Sequence, residues 1–317
     1  MSETLLGLRE AYGDTLARLG ETNSKIVVLD ADLSSSTRTS RFREKFPDRF
    51  FNMGVAEQDL IATAAGMAIG GKIPFASTFA VFETGRAWEQ IRQAICYPKI
   101  NVKLVSSHGG LTVGEDGATH QSLEDIALMR ILPNMTVIVP ADACETIKVI
   151  ETIVLHNGPV YVRTSRNKYP VIFNDDYRFE IGKSTTLRDG DKATIIAVGL
   201  MVHNALKAAQ LLEAKGISVR VINMSTIKPI DKQAIIKSAQ ETKAIVTVEE
   251  HSIIGGLGSA VAEVLVEHYP ILMARLGTCD MFGTSGLPDE LIKKYGLTAE
   301  DIVLKVEEIV GKKSVRL

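Results

Sequence analysis

Residues 106–121 read Ser106-Ser107-His108-Gly109-Gly110-Leu111-Thr112-Val113-Gly114-Glu115-Asp116-Gly117-Ala118-Thr119-His120-Gln121. Two histidines and two carboxylates stand there among four glycines. Such side chains move protons or hold hydroxyl groups. Glycines let the backbone take left-handed turns and come close to a ligand. The stretch follows an apolar strand signal at residues 101–105 and runs into a helical pattern at residues 122–131. It is therefore a loop at the carboxyl end of a strand, the edge at which open α/β sheets bind ligands. A solvated loop with incidental histidines is the plain alternative. A zinc site is disfavoured, because no second close pair of histidines or cysteines stands nearby.

The same edge recurs along the chain with other chemistry-bearing residues. Residues 25–29 form a strand signal, and Asp30-Ala31-Asp32-Leu33-Ser34-Ser35-Ser36-Thr37 follows it. Its hydroxyls either cap a helix or hold an anion together with backbone N–H groups. Glu57 opens a helix over residues 56–69 that is small and apolar nearly all round, the pattern of a buried helix. Either it complements the helix dipole, or it is a desolvated carboxylate with a raised pKa, suited to proton transfer. Phe79 and Phe82, three apart after the strand at residues 73–76, are either core packing or a platform for a flat ring. Arg166 follows the strand at residues 159–163, where a guanidinium can make a forked pair with phosphate. Arg9 stands one position off the apolar stripe of a helix over residues 5–20, and by position alone is a solvated charge.

Strands and helices alternate regularly through residue 163, which predicts a parallel, doubly wound sheet. Residues 170–191 lose that periodicity and read as a linker. A second α/β unit then begins with the strand at residues 193–199. It continues through a helix at 203–215, strands at 217–222, 244–248 and 271–276, and a closing helix at 298–310. Gly255-Gly256-Leu257-Gly258-Ser259-Ala260 sits between strand and helix as nucleotide-binding turns do, but lacks the G-x-G-x-x-G spacing.

A length of 317 residues allows two domains. A net charge of -2 gives no electrostatic basis for binding nucleic acid or an anionic membrane, and 6% aromatic residues is too few for a base-stacking surface. No apolar run reaches the roughly 18 residues of a membrane span. The residues Met1 to Thr4 show no basic-then-apolar leader. Cys96, Cys144 and Cys279 lie far apart, like core thiols of a reducing compartment. The expectation is a cytoplasmic α/β protein.

Taken together, these sites resemble the transketolase group of thiamine diphosphate enzymes over essentially the whole chain. The pattern His108-x7-Asp116-x3-His120-Gln121 around Gly114-Glu115-Asp116-Gly117 carries the resemblance, as does residues 199–231 with Ile227-Lys228-Pro229-Ile230-Asp231. The resemblance implies a pyrimidine-binding domain at residues 1–180 and a smaller α/β transketolase C-terminal domain at residues 190–317. No Gly-Asp-Gly occurs, whereas the family holds Mg²⁺ and the cofactor's diphosphate on such a motif in a separate domain. The chain thus resembles the C-terminal subunit of a split transketolase of the pentose phosphate pathway. It implies an N-terminal partner subunit in an α2β2 assembly, self-dimerisation, and no metal ligands on this chain.

By the same resemblance, Glu57 matches the glutamate that hydrogen-bonds the cofactor's aminopyrimidine. Phe82 matches the ring stacked on it, with Phe79 beside it, and Asp32 an aspartate near the thiazolium. Asp116 and His120 match residues on the sugar hydroxyls and carbonyl oxygen. Arg9, Ser36, His108 and Arg166 match the grip on the substrate's terminal phosphate. Gly85 departs from the tyrosine frequent in the cofactor pocket, and Ala56 from an arginine of many relatives. Other readings are a split deoxyxylulose-phosphate synthase-like enzyme, a transketolase for another sugar phosphate, and a non-catalytic subunit that keeps the fold. The synthase loop lacks the first histidine, and a binding module has no need of Glu57 with both histidines.

Overall fold

The computed structural model describes residues 4–316, with the side chains of residues 4–313. Its strands in chain order are β1 (Leu5–Gly7), β2 (Ile26–Asp30), β3 (Phe50–Asn52), β4 (Ile73–Ser77), β5 (Lys103–Ser106), β6 (Thr136–Ile138), β7 (Val160–Arg163) and β8 (Lys168–Pro170) in the first half. The second half adds β9 (Thr185–Arg188), β10 (Ala193–Ala197), β11 (Val219–Asn223), β12 (Thr226–Lys228), β13 (Ala244–Ser252) and β14 (Leu272–Thr278). The first large sheet has the order β12-β6-β7-β5-β4-β2-β3 and is parallel except for β12. The second has the order β14-β13-β10-β11-β9 and is parallel except for β9.

The apolar strand runs are covered on both faces, as central parallel strands must be. Ile26, Val28 and Phe75 point to one side of the first sheet, against Tyr12 and Leu16 of the helix Leu8–Thr22 and Ile150 and Ile153 of the helix Ala143–Leu155. Val27, Leu29 and Ala76 point to the other, against Leu60 and Ile61 of the helix Glu57–Ile69. The period of two along each strand sorts side chains between the two layers. The turns beyond the strands' carboxyl ends consequently converge on one edge.

Several elements depart from the sequence pattern. The first helix starts at Leu8, because Leu5 to Gly7 pair antiparallel with β8. The pairing places Arg9 in the helix's first turn, close to that edge. The apparent linker supplies β9, which joins the second sheet through a long-range pairing that polar local sequence does not announce. The helix expected from residue 122 begins only at Asp125. The helix after Phe82 opens into widened π turns at Phe82–Arg86 and Ile91–Cys96 on either side of Trp88–Gln90, a feature common at functional sites. The helix Glu57–Ile69 is buried on one side only: Ala62, Gly66 and Ile69 are exposed within this chain.

The halves interlock through β12, which leaves the second half to pair with β6. A carboxylate pair joins them further. Asp142 caps the helix Ala143–Leu155 by accepting from Glu145 N at 2.7 Å, and also accepts from Ile172 N at 2.6 Å and Phe173 N at 2.8 Å. Glu145 accepts from Tyr177 and from Asn223 on β11. Replacing Asp142 by alanine strands the Glu145, Ile172 and Phe173 amides without an acceptor. Asp142→Ala should therefore lose about 2–4 kcal/mol in urea unfolding, with Asp142→Asn losing less; a loss below about 0.5 kcal/mol would contradict this joint.

Candidate active site

Asp30, at the end of β2, shapes the first wall. Its carboxylate accepts from Leu33 N at 2.6 Å and from the hydroxyls of Thr37 at 2.7 Å and Thr39 at 2.8 Å. The serine-rich turn is therefore capped by Asp30 rather than by its own hydroxyls. Burial raises the pKa of Asp30, and the three hydrogen bonds counter that rise. Arg9 reaches this turn: its Nη1 donates to the Ser36 carbonyl at 2.9 Å, and Nε lies 3.5 Å from Glu10. Burial, with Arg38 and Arg166 nearby, lowers the pKa of Arg9. Arg9 is thus a half-buried cation facing the sheet edge, not a solvated one.

His108 lies opposite, buried, in the left-handed region at φ 61°. Its Nδ1 is 2.8 Å from Ser107 Oγ. Burial first, then the charges of Arg9 and Arg166, push its pKa down to about 3. The ring is therefore a neutral imidazole over the ordinary pH range. Arg166 Nη1 is 3.1 Å from Glu115 and 3.6 Å from Asp116, and it also donates to the Val113 carbonyl. Arg9, His108 and Arg166 together give the edge a positive rim around a neutral hydrogen-bonding ring.

An aromatic stack continues inward. Phe79 lies 3.8 Å from the His108 ring at 22° and 6.0 Å from Phe82 at 17°. His120 meets Phe82 edge-on at 5.4 Å, with its Nδ1 2.9 Å from Thr119 Oγ1. Phe79 is packed into this stack, whereas Phe82 is half-buried. Arg86 sits 4.9 Å over the Phe82 ring and donates to Glu57 Oε2 at 2.6 Å. Glu57 is 1% exposed, so its charge is held by Arg86 at the mouth of an otherwise dry position. Asp32 stands apart from these residues. It is exposed at φ 61°, and Asn52 Nδ2 donates to its carboxylate at 2.8 Å.

Arg86, Glu83 and Asn52 were not singled out in the sequence, and Gln121 stood there only as part of the loop pattern. Arg86 and Glu83 lie in the widened turn after Phe82, where a regular helix would aim them elsewhere. Asn52 ends β3 beside Asp32. Gln121 pins the loop through its Nε2, which donates to the Leu111 carbonyl at 3.0 Å. Glu83 is the least expected: it is fully buried, bonded to Ser106 Oγ, and its Oε1 has no partner. No local signal marks it, because the same segment also carries Arg86, Glu89 and Arg92. The glycine turn at residue 255 serves a different end. Glu249 accepts from Leu257 N and Gly258 N, both at 2.7 Å, at the start of the helix Leu257–His268. The donors a nucleotide phosphate would need there are already bonded.

Comparison with known proteins places this geometry. The pyrimidine binding domain of transketolase matches residues 6–171, and the transketolase C-terminal domain matches residues 182–302. A Methanocaldococcus jannaschii protein, provisionally named a transketolase C-terminal section, is 51% identical over 315 residues, 98% of this chain and 99% of that one. The 6-deoxy-6-sulfo-D-fructose transketolase subunit of Clostridium sp. strain MSTE9 is 42% identical over 309 residues, 98% of this chain and 96% of that one. A solved split-gene transketolase, described as an inactive β4 tetramer, is 54% identical with a TM-score of 0.91, covering 96% of this chain and 99% of that one.

Burial pushes the Glu83 carboxyl from 4.5 up to about 8, with Asp30 and Glu57 adding to the rise and Ser106 opposing it. The folded chain then holds this proton more tightly than the unfolded chain. The associated stability is complete below 4.5 and is lost as pH rises through about 8. Glu249, raised to about 7, acts in the same direction. The melting temperature should thus fall between about pH 4.5 and pH 8, and fall less in Glu83→Gln. Equal falls in both proteins would contradict a buried neutral Glu83.

Proposed function

From a chain that belongs to the transketolase family, we propose the C-terminal subunit of a split transketolase. It transfers a two-carbon ketol unit from a ketose phosphate to an aldose phosphate once an N-terminal subunit completes the site. The observation that carries this reading is one continuous edge. It runs from the cations of Arg9 and Arg166, past His108 and His120, to the Phe79–Phe82 stack and buried Glu57.

The family implies thiamine diphosphate, and the residues present fit it. A planar group bearing N–H donors, the Arg86 guanidinium, already bridges the Glu57 carboxylate and the face of Phe82. An aminopyrimidine is also planar and would make the same two contacts, with Arg86 moving aside. When bound, thiamine diphosphate supplies the carbon nucleophile for the sugar ketone and the electron sink for breaking its carbon–carbon bond. Glu57 then holds a proton at the pyrimidine ring nitrogen, in a dry position suited to sharing it. Phe82, backed by Phe79, orients the ring, and Asp32 lines the outer part of the pocket.

On the substrate side, Asp116 and His120 hold the sugar hydroxyls and the carbonyl oxygen. Arg9, His108 and the Ser36 turn grip the terminal phosphate with Arg166. Binding there orients the reacting carbons, which is how remote groups raise rates. Arg166 must exchange Glu115 and Asp116 for phosphate, so the loop carboxylates hold it in place until substrate arrives.

Among the described residues, no group of three or more His, Cys, Asp or Glu could hold a metal ion. In the proposed reading Mg²⁺ and the diphosphate belong to the N-terminal subunit. The exposed apolar side of the helix Glu57–Ile69 supports an α2β2 assembly with contact between copies of this chain. No helix among the described residues is long and apolar enough to cross a membrane, and the three free thiols suit a cytoplasmic setting. A transketolase for another sugar phosphate is the second reading, favoured by the likeness to an apulose-4-phosphate transketolase subunit.

Arg166→Ala tests the clamp in the assembled enzyme. Loss of a charge-assisted pair should raise KM for phosphorylated sugars roughly ten- to hundredfold while sparing their non-phosphorylated counterparts; equal losses on both would remove Arg166 from the clamp. Glu57→Gln should assemble normally yet lose about 10²- to 10⁴-fold in kcat; unchanged turnover would remove Glu57 from proton handling.

A further inference from the structure

The loop that carries Asp116 and His120 belongs by sequence to the first domain, but much of what holds it belongs to the second. Leu111 and Leu123, on either side of the loop, are buried in the second domain's core with Ile195, Val246, Val248 and Leu291. Glu250, at the end of β13, accepts from Thr112 N, and its own carbonyl accepts from Arg163 Nη2 at 2.8 Å. Arg163 in turn lies 3.5 Å from Asp125, which accepts from the Tyr161 hydroxyl at 2.7 Å. The Ser252 amide donates to the Leu123 carbonyl at 2.8 Å.

A second brace comes from residues 283–288. Ser285 Oγ donates to the Glu115 carbonyl at 2.6 Å, and Gln121 Nε2 donates to the Thr284 carbonyl at 3.0 Å. Two glycines are required by closeness rather than by turn chemistry alone. A Cβ on Gly110, at φ +90°, would fall 2.4 Å from Glu250 Cδ, and a Cβ on Gly283 would fall 1.8 Å from Gln121 Oε1.

We propose that the second domain is the frame that fixes the substrate loop, with Glu250 and Ser285 as positioning residues acting through the backbone at Thr112 and Glu115. The two braces hold the loop at its start and at the residue before Asp116. The backbone that carries the substrate side chains is thereby set by a domain that contributes none of them. The catalytic meaning of this frame rests on the sugar-phosphate reading above; the frame itself does not.

Hydrogen exchange on the full chain, alone and in complex with its N-terminal subunit, tests the proposal. Ser285→Ala and Gly283→Ala change only the outer brace, and Glu250→Gln the inner one. Loop amides at residues 112–121 should exchange about fivefold faster or more in Ser285→Ala and Gly283→Ala, with the second domain's core strands unchanged. In the complex, KM for sugar phosphates should rise about fivefold while kcat stays within about twofold and cofactor half-saturation does not move. Unchanged loop exchange, or a rise spread equally over the second domain, overturns the frame even if Glu250→Gln does not fold. Loop exchange that rises while KM stays put overturns the positioning role. A wild-type complex that transfers no ketol unit refutes the functional reading, and the exchange result still decides the frame.

Discussion

Burying a carboxyl group is costly unless it is paired, hydrogen-bonded or protonated, and the site rests on three such groups at one sheet edge. Each has a different remedy. Asp30 is ringed by two hydroxyls and a backbone amide, which fixes the turn that Arg9 touches. Glu57 borrows the cation of Arg86. Glu83 keeps its proton, because neither a cation nor a full set of donors reaches it. The arrangement spaces charge so that a carboxylate with access to the pocket survives beside a neutral one beneath it. An edge built from three free anions would repel one another and the phosphate the rim is shaped to attract.

The parallel sheet makes this concentration possible. Each strand run ends at the same edge, so residues as distant in sequence as Arg9, Glu57, His108 and Arg166 are brought to one surface without any local motif joining them. The second sheet repeats the architecture but spends its glycine turn internally, on the Glu249 carboxylate. Two similar α/β units thus divide the work: one presents ionisable side chains, the other supports the backbone that carries them.

Much of this was legible in residue order. Apolar runs at period two and helices between them gave the strand sequence of both halves, and the residues just past each run gave most of the pocket. What escaped was set by distance. The β12 and β9 pairings join short polar segments to partners far along the chain, and nothing local signals them. The strand at Leu5–Gly7 looked helical because its leucines continue the stripe of the helix that follows. Glu83 and Arg86 were hidden for a conformational reason, since the widened turn after Phe82 re-aims both. Glu250 was hidden because its role exists only where two domains meet.

The central claim is that this edge transfers ketol units only when a second chain completes it. The most direct measurement is a ketol-transfer assay with thiamine diphosphate and Mg²⁺, using xylulose 5-phosphate and ribose 5-phosphate. It would be run with this chain alone and with its N-terminal subunit. Transfer in the mixture and none from the chain alone is the expected result. Transfer by the chain alone would contradict the split site, and a mixture that binds cofactor but acts on no sugar phosphate would contradict the catalytic reading.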